Sequence, residues 1–118
     1  MPSAAVILET VRGMPVRRSL GDVDLQAVLP VDLKELRETL RKQHVSAAYL
    51  FGSRSRGTHR PDSDIDLLCI LDSDHKTITA LVDLEDAVGQ LSPVGVDIAT
   101  DINTVMKKHV ARDLVKVL

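Results

Sequence analysis

Aromatic residues are almost absent from this chain. Its 118 residues include one tyrosine, Tyr49, one phenylalanine, Phe51, and no tryptophan. Proteins that bind single-stranded nucleic acid by stacking its bases need several aromatic faces, so such a platform is excluded. Cysteine is represented only by Cys69. A single cysteine excludes an internal disulfide framework and a cysteine-rich zinc site.

Long apolar runs and a large net charge are also missing. No apolar run reaches the roughly 18 residues that span a bilayer, and the N-terminus lacks the pattern of a secretory signal. Fifteen basic and 17 acidic residues give a formal net charge of −2, so nucleic acid is not indicated as a partner. With 44% apolar residues, the sequence predicts one cytoplasmic domain that forms its own core and no association with a membrane.

The charges are segregated along the chain. Residues 31–60 carry seven basic residues against three acidic ones, whereas residues 61–101 carry ten acidic residues against one lysine. Residues 102–118 are basic again, with four basic residues and one acidic residue. An acidic middle between basic flanks fits a site that binds a cation and a polyanion together. Ordinary solvated faces would give the same counts, so the choice depends on motifs.

The apolar residues beyond residue 30 follow either a strand or a helix period. Strands are predicted at Val45–Phe51, Ile65–Leu71 and Val94–Ala99. One helix is predicted from Asp32, which begins a capping-box pattern, and a second over Lys76–Val88. We expect Gly89 to end the second helix, and a third to run from about Asn103 with inward-facing Val105, Val110, Leu114 and Val117.

This order of elements indicates an α/β or α+β domain with a small mixed sheet flanked by helices. Residues 31–118 form the predicted domain, and residues 1–30 an N-terminal extension of unclear role. Within the extension, Ser3–Arg12 is compatible with a short helix and Pro15–Leu25 with an extended segment that turns at Gly21-Asp22.

A loop rich in glycine, serine and arginine follows the first predicted strand. Its sequence is Gly52-Ser53-Arg54-Ser55-Arg56-Gly57. Glycines allow a tight turn and close approach to a ligand, and backbone N–H groups, the Ser53 hydroxyl and Arg56 or Arg54 suit phosphate oxygens. The next residue is Thr58 rather than lysine, which excludes a P-loop. Considered alone, the loop is better explained as a purely structural turn, and a phosphate-binding role depends on the motifs that follow.

Two aspartates, Asp64 and Asp66, stand at the start of the second predicted strand. Residues two apart on a strand point to the same face, so their carboxylates emerge side by side and repel each other unless a cation is bound. Oxygen ligands of this kind suit magnesium. An EF-hand loop fails because Leu67 stands where glycine is needed. A solvated turn explains Asp62, and a buried structural aspartate explains Asp66 but not the pair.

A third carboxylate, Asp97, interrupts the apolar strand that follows Pro93. If this strand lies beside the one that carries Asp64 and Asp66, three carboxylates converge on one edge of the sheet. Asp97 alone fits a strand-end cap as well as a metal ligand. The four histidines show no ligand spacing and are expected to be surface residues.

Together, these motifs resemble the DNA polymerase beta-like nucleotidyltransferase superfamily. The chain is most similar to its minimal nucleotidyltransferases, small proteins often paired with a HEPN-domain ribonuclease, over residues 31–118. The resemblance rests on three motifs: Gly52-Ser53-x-x-Arg56-Gly57, Ser63-Asp64-x-Asp66 and Asp97. It implies the fold of that superfamily, nucleotide binding by Gly52, Ser53 and Arg56, and catalysis and metal binding by Asp64, Asp66 and Asp97.

The resemblance also implies an activity, cofactors and partners. Two Mg²⁺ ions and ATP as substrate would serve the transfer of AMP to an acceptor hydroxyl, and the acceptor would belong to a cognate HEPN toxin that the modification silences. Two alternatives remain open. The chain would act as an antitoxin by binding alone, or as the catalytic subunit of a two-chain transferase for tRNA or a small molecule. A compact transferase of this kind would rely on a homo- or hetero-oligomer to present the acceptor.

Overall fold

Two small sheets and four α-helices make up the part of the chain that the computed structural model describes, residues 10–11, 14–15, 21–100 and 114–118. A single 3₁₀ turn, Ser73–His75, lies between the second long strand and the longest helix. In chain order the elements are β1 (Thr10–Val11), β2 (Met14–Pro15), α1 (Asp22–Val28), α2 (Leu33–Lys42), β3 (Val45–Phe51), α3 (Gly52–Arg56), β4 (Ile65–Leu71), α4 (Ile78–Leu91), β5 (Val96–Ala99) and β6 (Val115–Lys116).

The main sheet has four strands in the spatial order β5-β4-β3-β6. Strand β3 pairs antiparallel with both β4 and β6, and β4 pairs parallel with β5, so the sheet is mixed. The crossover between the parallel strands contains α4, as such connections usually contain a helix. This arrangement confirms the predicted α/β class. Among the described residues, no helix has both the length and the apolar character needed to cross a bilayer.

The two faces of the sheet carry different residues of β4. Ile65, Leu67 and Cys69 belong to the larger core cluster, in which α2 and α4 cover the sheet. Leu68 belongs to a second, smaller cluster with Tyr49, Phe51, Ala99 and Leu114. Because side chains alternate along a strand, Asp66 lies on the same face as Leu68, opposite the helices.

Most of the predicted elements are confirmed, with differences at their ends. The Asp32 carboxylate accepts a hydrogen bond from Glu35 N at 3.0 Å and caps α2 as expected. Helix α4 does not end at Gly89 but runs to Leu91. Pro93 is the stronger stop, because the residue before a proline is driven out of the helical region. Strand β5 begins at Val96, two residues later than predicted.

The C-terminal helix prediction is wrong where it can be checked. Val115–Lys116 forms strand β6, which pairs with Tyr49 and Leu50. The alternation of buried and exposed residues there has the period of a strand. Leu114 and Val117 face inward as expected, whereas Asn103, Val105 and Val110 lie outside the described residues.

The first thirty residues also differ from expectation. Thr10 and Val11 form a strand within the stretch that is compatible with a short helix, and the rest of Ser3–Arg12 lies outside the described residues. Asp22–Val28 is helical, so Asp22–Leu25 is not extended as expected, and Leu25 is buried in the main core. Arg37 of α2 binds Asp22 with both terminal nitrogens at 2.9 Å. That hydrogen-bonded pair lowers the pKa of Asp22.

Arg54 joins the loop after α3 to the rest of the domain. Its side chain is only 3% exposed. The guanidinium donates to Ser63 O from Nε at 3.1 Å and from Nη2 at 2.9 Å, and to Val28 O at 2.8 Å. It also reaches the carbonyls of Arg60 and Pro61 at 3.4 and 3.2 Å. Arg54 therefore sets the path of the segment that leads into Asp64.

We expect Arg54→Lys to destabilise the protein by about 2–4 kcal/mol, because an ammonium has three donors and no planar fork, so carbonyls would be left unpaired. Arg41→Lys, on the exposed face of α2, is the matched control and should change stability by less than about 0.5 kcal/mol. Urea denaturation of the three proteins measures both values. Equal stability of the two variants would contradict the role given to Arg54.

Cys69 lies within β4 and is fully buried. Burial raises the pKa of its thiol to about 12, because the thiolate would lose its hydration. Only the thiolate is an effective nucleophile.

We therefore expect Cys69 to resist a thiol reagent such as DTNB in the native protein at mildly alkaline pH. In concentrated guanidinium chloride one thiol per chain should react at once. Absorbance of the released thionitrobenzoate measures both rates. Rapid reaction of the native protein would show that β4 opens far more easily than its packing implies.

Candidate active site

The candidate site residues that the sequence singles out lie at one end of the main sheet. Strand β3 ends at Phe51, and because β4 runs antiparallel to it, the start of β4 lies at the same end. Strand β5 is parallel to β4 and therefore begins there too. The Gly52 loop and the predicted carboxylates are brought together by this topology.

Asp66 and Asp97 are direct neighbours across two strands. They are paired in the parallel register of β4 and β5, in which neighbouring strands lie about 4.8 Å apart. Paired residues of a sheet project to the same face, so both carboxylates extend on the face opposite the helices. Asp66 is half-buried and Asp97 is exposed. The pairing satisfies the condition that the sequence left open for Asp97.

Asp64 joins the same face two residues before Asp66. The amide of Ile65 donates to Gly95 O at 2.8 Å, which fixes the start of β4 against β5. The Asp64 carboxylate lies over Gly95, where a Cβ would stand only 2.5 Å from Oδ1. Gly95 thus leaves the space that Asp64 occupies, and no signal in the sequence other than the glycine itself points to this role.

Gly52 stands on the other side of Asp66. Its φ of +78° lies in the left-handed region that favours glycine. A Cβ on Gly52 would overlap Oδ2 of Asp66. Backbone conformation and space both require glycine here, and the Asp66 carboxylate is held directly against the start of the loop.

The loop residues after Gly52 form the short helix α3. Ser53 is half-buried, and its carbonyl accepts a hydrogen bond from Thr58 N at 3.0 Å. Arg56 is exposed at the end of α3, and Gly57 follows with a φ of +74°. The sequence offers Arg54 as a phosphate ligand together with Arg56. Instead, its guanidinium is used by backbone carbonyls, and no sequence pattern distinguished the two arginines.

The carboxylates are adjacent, but their oxygens are not gathered around one point. Within the described residues, Asp64, Asp66 and Asp97 do not form a set whose ligand oxygens all lie within 4.8 Å of one another. The Asp64 side chain extends over Gly95 instead. Asp64 and Asp97 are exposed, so rotation of their side chains is what would bring oxygens toward Asp66. A bound cation would favour that rotation because adjacent carboxylates repel.

A different group of side chains does meet that spacing. The ligand atoms of His44, Asp72 and His75 all lie within 4.8 Å of one another. They lie at the opposite end of β4 from Asp66. The histidines show no ligand spacing along the chain, but the fold brings His44 and His75 together from some thirty positions apart. His44 is exposed, as expected, and His75 is half-buried.

The chain is similar in sequence to a known family of enzyme domains. The family model for a nucleotidyltransferase domain matches residues 33–117, well over half of the chain. No curated protein matches the chain.

Solved structures similar to the chain include the following two. One is a chain in the crystal structure of a toxin-antitoxin with AMP-PNP, with 27% sequence identity and a TM-score of 0.50. That match covers 58% of this chain and 56% of the other, so this chain spans little more than half the length of that neighbour. The other is a candidate nucleotidyltransferase from Sulfolobus solfataricus, with 23% identity, a TM-score of 0.43 and coverage of 82% and 87%.

The family match spans all four strands of the main sheet and contains the Gly52 loop and the Asp64–Asp66 segment. The chain belongs to the nucleotidyltransferase domain family.

Proposed function

We propose that the chain transfers AMP from ATP to a hydroxyl of a cognate HEPN-type toxin and so acts as an antitoxin. One observation carries the proposal. Asp66 and Asp97 are paired on adjacent strands, with Asp64 on the same face and Gly52 against Asp66. Family membership supports nucleotidyl transfer. The similarity to a chain from a toxin-antitoxin with AMP-PNP favours ATP as donor and a toxin as partner.

The donor set of the site fits magnesium. Asp64, Asp66 and Asp97 offer carboxylate oxygens, which Mg²⁺ prefers. Gly52 and Gly95 leave the space in which two of these carboxylates lie. Two bound Mg²⁺ ions would neutralise the triphosphate and lower the pKa of the acceptor hydroxyl.

The Gly52 loop is suited to the phosphates. Ser53 follows Gly52 directly and offers a backbone N–H and a hydroxyl to the β- and γ-phosphates. Arg56 is exposed at the end of α3 and would steady the departing pyrophosphate through charge-assisted hydrogen bonds. Catalysis then rests on positioning and charge neutralisation rather than on a covalent intermediate.

In the transfer step, the acceptor oxygen attacks the α-phosphorus of ATP. A bond forms between that oxygen and the phosphorus, while the bond to the oxygen bridging the β-phosphate breaks. Pyrophosphate leaves with the bonding electron pair. Asp97, the most exposed strand partner of Asp66, accepts the proton of the hydroxyl. The product is an AMP ester of a tyrosine or serine of the toxin.

A label-transfer assay tests the proposed function. The chain is incubated with ATP labelled at the α-phosphate, Mg²⁺ and the protein that copurifies with it, beside an Asp64→Ala/Asp66→Ala variant. Label on the partner with the native chain alone supports the proposal. Silencing of the partner by the double variant without label would instead show an antitoxin that acts by binding. Label found only on RNA or on small molecules would show a two-chain transferase.

Asp97→Asn should lower the rate of AMP transfer by at least about 100-fold, because it removes both a charge and a proton acceptor from the site. Binding of ATP should partly survive, since Asp64, Asp66 and the Gly52 loop remain. Initial rates and nucleotide titrations separate the two effects. Asp86→Asn, on an exposed position of α4, is the matched control and should transfer AMP at the native rate. Full activity of Asp97→Asn would remove Asp97 from the mechanism.

Gly52→Ala and Gly57→Ala form a second matched pair. Both glycines have a left-handed φ. A Cβ at Gly52 would meet Asp66, whereas a Cβ at Gly57 would meet no atom. Each substitution should cost about 1–2 kcal/mol of stability from the backbone alone. Gly52→Ala should also displace Asp66 and reduce transfer by about 100-fold. Urea denaturation and initial rates at a temperature where both variants are folded distinguish the effects. Equal activity of the two would show that the contact with Asp66 is unimportant.

A further inference from the structure

A cluster of two histidines and one aspartate lies at the end of the sheet away from the proposed active site. His44 immediately precedes β3, and Asp72 and His75 follow β4. Val45 pairs with Leu71, so the antiparallel register brings the start of β3 to the end of β4. Strand β4 separates this cluster from Asp66 by about 15–20 Å.

Backbone hydrogen bonds hold the three residues together. Asp72 N donates to His44 O at 2.9 Å, and His75 N donates to Asp72 O at 2.9 Å. The two imidazole rings stack with their centroids 3.5 Å apart and their planes 4° from parallel. The ligand atoms of all three side chains lie within 4.8 Å of one another. In a tetrahedral zinc site they would be roughly 3.3 Å apart, so small side-chain rotations would close the difference.

The ring nitrogen Nδ1 of His75 provides an independent observation. It is buried and has no hydrogen-bond partner among the described residues. Buried polar atoms are nearly always paired, and the lone pair of a neutral imidazole is a common metal ligand. An ion bound at the cluster would supply this nitrogen with the partner that it lacks among the described residues.

The backbone of His44 provides another. His44 has a φ of +67°, the one positive value at a non-glycine residue in the described part of the chain. It follows the C-cap of α2, a position where glycine is the usual choice. A histidine kept in a conformation that suits glycine points to a requirement for its side chain.

We propose that His44, Asp72 and His75 bind a divalent transition-metal ion of the zinc type. Two imidazoles and one carboxylate form a donor set that suits zinc, and three protein ligands leave a fourth position for water. The stacked rings turn apart when the ion binds, because a metal lies close to the plane of each imidazole. The bound ion clamps the start of β3 to the end of β4. This site does not depend on the proposed transferase function.

Calorimetric titration of Zn²⁺ into the full chain tests the proposal. Mg²⁺ is present in excess so that it occupies the carboxylates near Gly52. We expect one Zn²⁺ per chain and a rise in Tm, because the ion binds only the folded arrangement. His75→Ala and Asp72→Asn should each weaken zinc binding by at least about tenfold, as the loss of even an outer-shell partner does. Asp74→Asn, two residues from Asp72, is the matched control and should bind zinc as the native chain does.

Two further variants separate metal binding from folding and from the active site. His44→Gly relieves the left-handed backbone, so its Tm without zinc should equal or exceed the native value, while the rise on adding zinc disappears. Asp66→Asn should retain the zinc site. The proposal is overturned if the native chain binds no zinc, if Asp72→Asn and Asp74→Asn bind it equally, or if Asp66→Asn is the variant that loses it.

Discussion

The pairing register between β4 and β5 is the constraint on which the site depends. Asp66 faces Asp97 in that register, and a slip of one residue would turn every side chain of β5 to the opposite face. Asp97 would then point toward the helices, where a carboxylate has no water. The hydrogen bond from Ile65 N to Gly95 O opposes such a slip, and so does the burial of Ile98 in the core cluster on the helix side of the sheet.

One face of the main sheet forms the core, and the other carries the candidate site. The face under α2 and α4 is closed by leucine and valine side chains, which supply the burial that stabilises a domain of this size. The opposite face carries Asp66 and Asp97 at one end, where polar atoms remain near solvent. Arg54 connects the loop before Asp64 to α1, because its buried guanidinium donates hydrogen bonds to Ser63 O and to Val28 O. The loop geometry of the site thus depends on a helix that lies outside the residues matched by the family.

Local patterns were sufficient for the central strands, for the cap at Asp32 and for the placing of Asp64 and Asp66 on one face, because each depends on residues close in sequence. Asp97 joins that pair only through the pairing of β5 with β4. Local patterns failed where tertiary contacts decide. The stretch around Val115 has apolar residues compatible with either period, and pairing with β3 makes it a strand. Arg54 and Arg56 look alike in sequence, and only the fold shows which one is buried. His44 and His75 are brought together by the antiparallel register, which composition and spacing do not encode.

The two ends of β4 offer cations different chemistry. The end near Asp66 presents only oxygen donors, which select hard ions such as Mg²⁺. The end near Asp72 combines one carboxylate with two imidazoles, which favour softer transition metals. Imidazole nitrogens bind zinc far better than they bind magnesium. Zinc bound near Asp72 would therefore not compete with magnesium bound near Asp66. A rigid strand of seven residues would keep the two ions too far apart to share a ligand.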